Sequence, residues 1–215
     1  MTRGTKPAIL CALAALALGG CNIVGTAAFI IEGPPKVQAV AGLEDDRPTV
    51  IFVDDRASQI PRRSLRVTIG QEAEEILIRQ GIVEQENMIA ATSTLRTALS
   101  EAPDEPMSIA DIGLSVGAEV VVYITIDSWT MSQDGSSFSP VVNTRVKIID
   151  AENRMRLWPA YDGGYRLDVE PLTRAAELPK SRAEAAAAEA DLARRVGVAL
   201  AQMFFEHAKT SVRDL

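Results

Sequence analysis

The sequence predicts a single compact α/β domain, a mixed β-sheet packed with helices in two or three layers. Three observations predict it. Residues 49–53, Thr-Val-Ile-Phe-Val, form an unbroken β-branched and apolar run, the pattern of a strand buried on both faces. Residues 120–126, Val-Val-Val-Tyr-Ile-Thr-Ile, form a second such run and are expected at the centre of the sheet. Between and after them lie stretches with helical spacing of apolar residues and Ser-x-x-acid capping signals.

The elements follow in order. Asp54, Asp55 and Arg56 end the first strand. Residues 61–80 read as a helix with Leu65, Ile69, Ala73, Ile76, Leu77 and Gln80 on one face, and Gly81 suits the position just beyond it. Ile82-Val83 and Met88-Ile89 read as a second strand interrupted by polar residues. Residues 92–101 form a second helix candidate. Ser108 and Asp111 have capping-box spacing, so a short helix should run to about Val116, closed by Gly117. After the central strand, residues 133–137 are a loop. Val142, Thr144, Val146 and Ile148 then alternate with Asn143, Arg145 and Lys147, a strand with one face on the core and one on water. Residues 150–153 are a turn, and 155–158 and 165–169 two short strands. Ser181 and Glu184 open a long terminal helix whose apolar face is Leu192, Val196, Ala199, Leu200, Met203 and Phe204.

The amino terminus has the layout of an export signal. Arg3 and Lys6 precede an apolar stretch, residues 8–18, and then Leu18-Gly19-Gly20-Cys21. That ending resembles a bacterial lipobox. The resemblance implies cleavage after Gly20 and a lipidated Cys21, carrying a diacylglycerol and a third acyl chain, as the mature amino terminus. Several acyl chains anchor stably where one does not. The expected organisation is a signal peptide at 1–20, a lipidated cysteine and tether at 21–47, and a periplasmic α/β domain at 48–215. The rival reading is an uncleaved membrane helix, because residues 7–31 carry no charge. Both readings place the remainder outside the cytoplasm, since the positive residues come first. Asn22, where an aspartate would retain a lipoprotein at the inner membrane, favours the outer membrane.

Composition narrows the function. The chain has 215 residues, 47% of them hydrophobic, and a net charge of −7, so it can bury a core and has no basic excess to bind nucleic acid. Two cysteines and one histidine leave no disulfide framework and no Cys/His zinc cluster. Asp54 and Asp55 end a buried strand where α/β proteins bind ligands. "Val-Asp-Asp" there resembles the acidic pair of a receiver domain, but the second strand-ending aspartate of a receiver is missing. The alternative is that both cap the helix or solvate the strand end. Glu74 and Glu75 read as a solvated helix surface. His207 reads as a histidine near the end of the last helix. No phosphate loop, dinucleotide fingerprint or metal-ligand motif occurs. Trp129, Trp158, Tyr161 and Tyr165 lie at predicted strand ends or beside the Gly163-Gly164 turn. They are candidate interface residues, the alternative being that they close the edge of the core.

A family resemblance joins these features. It rests on the lipobox, the Val-Ile-Phe-Val-Asp strand and the helix ending Ile-Arg-Gln-Gly. It also rests on Ile-Gly-Leu-Ser-Val-Gly-Ala-Glu-Val-Val-Val-Tyr-Ile-Thr-Ile at 112–126 and Val-Lys-Ile-Ile-Asp-Ala-Glu-Asn-Arg-Met-Arg-Leu-Trp at 146–158. The chain resembles the periplasmic lipoprotein group of penicillin-binding-protein activators, the curli-secretion lipoprotein and the amino-terminal domain of TolB. The resemblance covers about residues 48–158. Glu119 stands where the group has the acid of Gly-Ala-Asp, and Asn153 where it has a turn glycine. It implies a small α/β module that binds partners or assembles, with no catalytic residues to carry over. The long amphipathic hairpins of the pore-forming members are absent from the sequence.

The expectation is therefore a non-enzymatic, lipid-anchored, periplasm-facing lipoprotein without a cofactor. It would bind or assemble with envelope proteins, itself included. The alternatives are an envelope enzyme or a small-ligand or metal binder using Asp54 and Asp55, and a structural subunit of a transport or secretion complex.

Overall fold

The computed structural model describes residues 35–101, 106–170 and 178–209. Residues 35–37 and 208–209 belong to one unit and residues 38–207 to another. In the first unit, the Lys209 N–H donates to the Pro35 carbonyl at 2.7 Å. The strands β1 (Lys36–Val37) and β8 (His207–Ala208) pair with each other alone. The larger unit holds the remaining elements, an α/β fold with a mixed, open sheet.

Strand β2 (Thr49–Asp54) is buried at every position, as its unbroken apolar run predicts. It lies between β3 (Met88–Ile89) and β4 (Val120–Thr130) and runs parallel to both. β4 then pairs antiparallel with β5 (Val141–Asp150). β4 runs four residues beyond the β-branched run, through a register shift between Ile126 and Ser128, and carries Trp129 with it. The outer edge of β5 is shared. Its end, 148–150, pairs with β6 (Met155–Trp158), and its start, 142–146, pairs with β7 (Tyr165–Val169). β6 and β7 thus form one edge strand, interrupted by an excursion at 159–164 opposite Lys147.

Helices cover both faces of β2 and β4, because strands buried on both faces need apolar cover on both. On one face, α1 (Ser64–Arg79) and α4 (Arg182–Gln202) supply Leu65, Ile69, Leu77, Leu192, Val196 and Leu200. These pack on Ile51, Val53, Val122, Ile124, Val146 and Ile148. On the other face, α2 (Ala91–Leu99) and α3 (Ile109–Ser115) bring Leu95, Ala110 and Ile112 onto Val50, Phe52, Val121 and Tyr123. On that face β5 carries the exposed Arg145, whose guanidinium pairs with Asp127 at 2.7 Å.

Both serine N-caps form, without the reciprocal bond to the N-cap N–H: Asp111 accepts the Ser108 hydroxyl and Glu184 the Lys180 N–H. The Ser108 and Ser181 hydroxyls accept the N–H groups of Asp111 and Glu184, each at 3.1 Å. Gly81 and Gly117 follow their helices with φ of 66° and 83°, the left-handed conformation expected there. Four expectations change. Ile82-Val83 is not a strand; Val83 is buried in the turn after α1, and only Met88–Ile89 pairs. Gln80 lies at the end of α1 and is exposed. His207 is not at a helix end: α4 stops at Gln202, and the His207 ring contacts Phe205. Glu74 is not a solvated surface carboxylate. It is half-buried and accepts the Ala91 N–H, so α1 caps the first turn of α2, whose own N-cap, Ala90, has no capping side chain. Burial pushes the Glu74 carboxyl up.

No helix among the described residues is long and apolar enough to cross a membrane. Cys21, Leu18, Gly19 and Gly20 lie outside the described residues, as does the apolar run 7–31.

Helices α1 and α4 cross tightly at Gly197. A Cβ there would lie 2.6 Å from the Ile69 carbonyl oxygen and 2.7 Å from Glu72 Cβ. Gly197→Ala should therefore lower stability by about 1–2 kcal/mol, despite a helix-propensity gain of about 1 kcal/mol. A Cβ on Gly42 meets nothing within 4 Å, so Gly42→Ala should leave the urea midpoint unchanged or raised.

Candidate functional site

The carboxyl end of β2 carries the two aspartates. Asp54 is 4% exposed and faces the α2–α3 side with Phe52 and Tyr123. One of its oxygens accepts the Tyr123 hydroxyl at 2.7 Å and lies 3.4 Å from the Arg56 guanidinium; the other accepts the Arg56 N–H at 3.1 Å. Arg56 also bonds Glu101 at 2.9 Å and the Met107 carbonyl at 3.2 Å, joining the strand end to the segments flanking α2 and α3. Burial and the Asp54 carboxylate push the Tyr123 phenol up, so it remains a donor at all ordinary pH. Asp55 accepts the Gln59 N–H at 2.6 Å and the Ile60 N–H at 3.1 Å, one on each oxygen. It organises the turn before α1 and does not cap the helix itself. All four carboxylate oxygens are thus engaged by donors of the chain.

The opposite end of the sheet holds a second polar knot. Arg47 reaches Glu119 and Asp150, both at 3.1 Å, and Glu44 at 3.6 Å. Asp150, 5% exposed, also accepts the Asn153 N–H at 2.8 Å and its side-chain amide at 3.1 Å. The Pro48 carbonyl accepts the N–H groups of Glu119 and Val120, and the Glu119 carbonyl accepts that of Ala151. This knot pins the segment entering β2 to the ends of β4 and β5. The Asn153 donors, then Arg47, hold the Asp150 carboxyl below the usual carboxylate range against the opposing effect of burial. Glu119, Asp150 and Asn153 thereby serve the fold.

The four aromatic candidates do not form one cluster. Trp158 and Tyr165 contact each other, with ring centroids 5.0 Å apart, where the edge strand leaves and rejoins the sheet. Both are half-buried and pack against the core under α1 and α4. Trp129 sits opposite Val142 at the other end of β5, also half-buried on that core, with its buried Nε1–H unpaired by protein. Tyr161 projects from the excursion and is 56% exposed. Beside it on β6, Met155 and Leu157 are 61% and 49% exposed. Among the described residues, no strand pairs with the far side of β6 or β7. The sequence marks Met155 and Leu157 only as part of a short strand, since strand pattern does not tell an edge from an interior position.

Among the described residues no group of three or more His, Cys, Asp or Glu is placed to hold a metal ion.

No family model matches the chain, and no curated protein matches it. Solved structures give distant likenesses. A PelC dodecamer from Paraburkholderia phytofirmans is 16% identical over 77% of this chain and 94% of that one, with a TM-score of 0.39. The lipoprotein GNA1162 from Neisseria meningitidis is 12% identical over 68% and 92%, with a TM-score of 0.38. The LpoB carboxyl-terminal domain from Salmonella enterica is 13% identical over 60% and 87%, with a TM-score of 0.31.

Two outcomes follow from the polar knots. Tyr123→Phe strips a buried carboxylate of its donor and should cost about 1.5–3 kcal/mol in urea denaturation, with Tyr161→Phe unchanged. Asp150 has a folded pKa below its unfolded value near 3.9. Its stabilisation is therefore complete above about pH 4 and is lost as pH falls through the folded value. The stability difference between the wild type and Asp150→Asn should shrink as denaturation is repeated from about pH 7 down to about pH 3.

Proposed function

We propose that this chain is a lipid-anchored, periplasm-facing protein of the bacterial envelope that acts by binding or assembling with envelope proteins and not by catalysis. The anchor rests on the Leu18-Gly19-Gly20-Cys21 lipobox, with Cys21 carrying the lipid, and Asn22 favours the outer membrane. The observation that carries the binding role is the β6–β7 edge. An unpaired strand edge is a template for another strand, and soluble proteins ordinarily blunt it with charge or cover. Here the charges of Arg156 and Arg166 are paired with Asp162 and Asp168, and Met155, Leu157 and Tyr161 stand exposed, while Trp158 and Tyr165 brace the edge from the core. A partner strand added along β6 would gain main-chain hydrogen bonds and bury these side chains.

The alternative use of Asp54 and Asp55 as ligand or metal groups is the weaker reading, since every carboxylate oxygen there already accepts a bond within the chain.

The test combines anchor and edge. Cys21→Ser should move the full chain from the membrane to the soluble fraction. Met155→Glu with Leu157→Glu should abolish cross-linked envelope complexes and self-association, with unchanged thermal stability. Complexes that persist in the double variant, or a chain that never forms any, would overturn this reading.

A further inference from the structure

A cleft of about 250 Å³ opens between α1 and α2, lined by Arg63, Arg66 and Arg96, with Val67, Leu95 and Leu99 as its apolar wall. Ser64 and Thr92 add two hydroxyls. The arginines are what set it apart. Among the described residues, only Arg63, Arg66, Arg96 and Arg182 of the arginines lack a carboxylate within ion-pair distance. Three of those four line this one cleft, in a chain whose net charge is −7. Arg66 is half-buried, and its Nε–H donates to the Val53 carbonyl at 2.9 Å, which fixes the guanidinium at the end of β2. Arg96 has the Ser93 hydroxyl, at 3.4 Å, as its neighbour. Burial pushes the Arg66 pKa down, opposed by the attraction of Asp54 and Asp55, with the like charges of Arg63 and Arg56 a lesser push downward. The guanidiniums lining the cleft make no ion pair among the described residues, so an oxyanion among them would gain charge-assisted hydrogen bonds. The Asp54 and Asp55 carboxylates attract Arg66 from beyond ion-pair distance, and their oxygens accept bonds from Tyr123, Arg56, Gln59 and Ile60.

The geometry points to a binding site for an amphiphilic anion, with an oxyanion head among Arg63, Arg66 and Arg96 and a short aliphatic portion on Val67, Leu95 and Leu99. The volume is below the range of drug-sized pockets, which suits a head group and a few methylenes and not a large organic ligand. The head could belong to a free alkyl phosphate or to an anionic lipid at the membrane surface; the chemistry recognised is the same.

The test uses the full chain in nanodiscs of phosphatidylcholine, with octyl phosphate titrated calorimetrically against blank discs. Octyl phosphate should bind at least tenfold more tightly than inorganic phosphate, and octanol should show no saturable binding. Arg63→Gln with Arg96→Gln, both exposed positions, should weaken octyl phosphate at least tenfold without moving the thermal midpoint. A second arm measures binding of the soluble Cys21→Ser chain to phosphatidylglycerol vesicles and to phosphatidylcholine vesicles. Retention on phosphatidylglycerol alone, lost in the arginine variant, assigns the lipid as the source; no retention alongside octyl phosphate binding assigns a free anion. Absence of octyl phosphate binding and of phosphatidylglycerol retention would overturn the inference. So would octyl phosphate binding unchanged by the two substitutions, or equalled by octanol.

Discussion

The burial of β2 and β4 on both faces is the constraint on which the rest depends. Two parallel apolar strands expose a greasy surface above and below, so helices must cover both sides. Cover on one side brings α1 and α4 so close that only a hydrogen fits at Gly197. Cover on the other brings α3 against β4 at Gly113, where a Cβ would lie 2.5 Å from Val121. Burial also isolates the polar ends of these strands from water. Each end is then satisfied from within, by Tyr123 and Arg56 on Asp54 at one end and by Arg47 on Glu119 and Asp150 at the other.

The same constraint shapes the strand ends. Carboxylates at the carboxyl end of a parallel strand suggest a ligand site when met in sequence. In the fold they accept bonds from the following turn, Arg56, Gln59 and Ile60, and from the distant Tyr123. Tyr123 lies on the neighbouring strand, and Arg56 turns back over Asp54. The proposed binding role lies instead at the periphery, where cover ends. Among the described residues no strand pairs beyond β6 and β7, and Met155 and Leu157 are exposed there.

Local signals were legible in the sequence and relations between elements were not. The β-branched runs marked β2 and β4 because strand burial is written in consecutive residues, and Ser108 and Ser181 marked two helix starts because a capping box spans four residues. The start of α2 carries no such signal, since its cap is Glu74 on another helix. That β6 and β7 are one broken edge strand depends on both pairing with β5, which no local pattern records. Of the aromatic candidates, Trp129, Trp158 and Tyr165 turned inward and Tyr161 outward, a difference decided by register and by the excursion at 159–164. The arginine cleft is likewise a meeting of two helices, and its residues look in sequence like ordinary solvated charges. The missing carboxylate partners are visible only in three dimensions.

Strands β2 and β4, buried on both faces, form the heart of the domain, and the β6–β7 edge is the proposed partner surface. Amide hydrogen exchange on the full chain, alone and in its assembled state, tests it most directly. The amides of β2 and β4 should be the slowest to exchange in both states. The outward amides of β6, around Met155 and Leu157, should exchange fast in the free chain and become protected on assembly. Slow exchange along β6 in the free monomer, or no protection there in the complex, would rule out β6 as the partner surface.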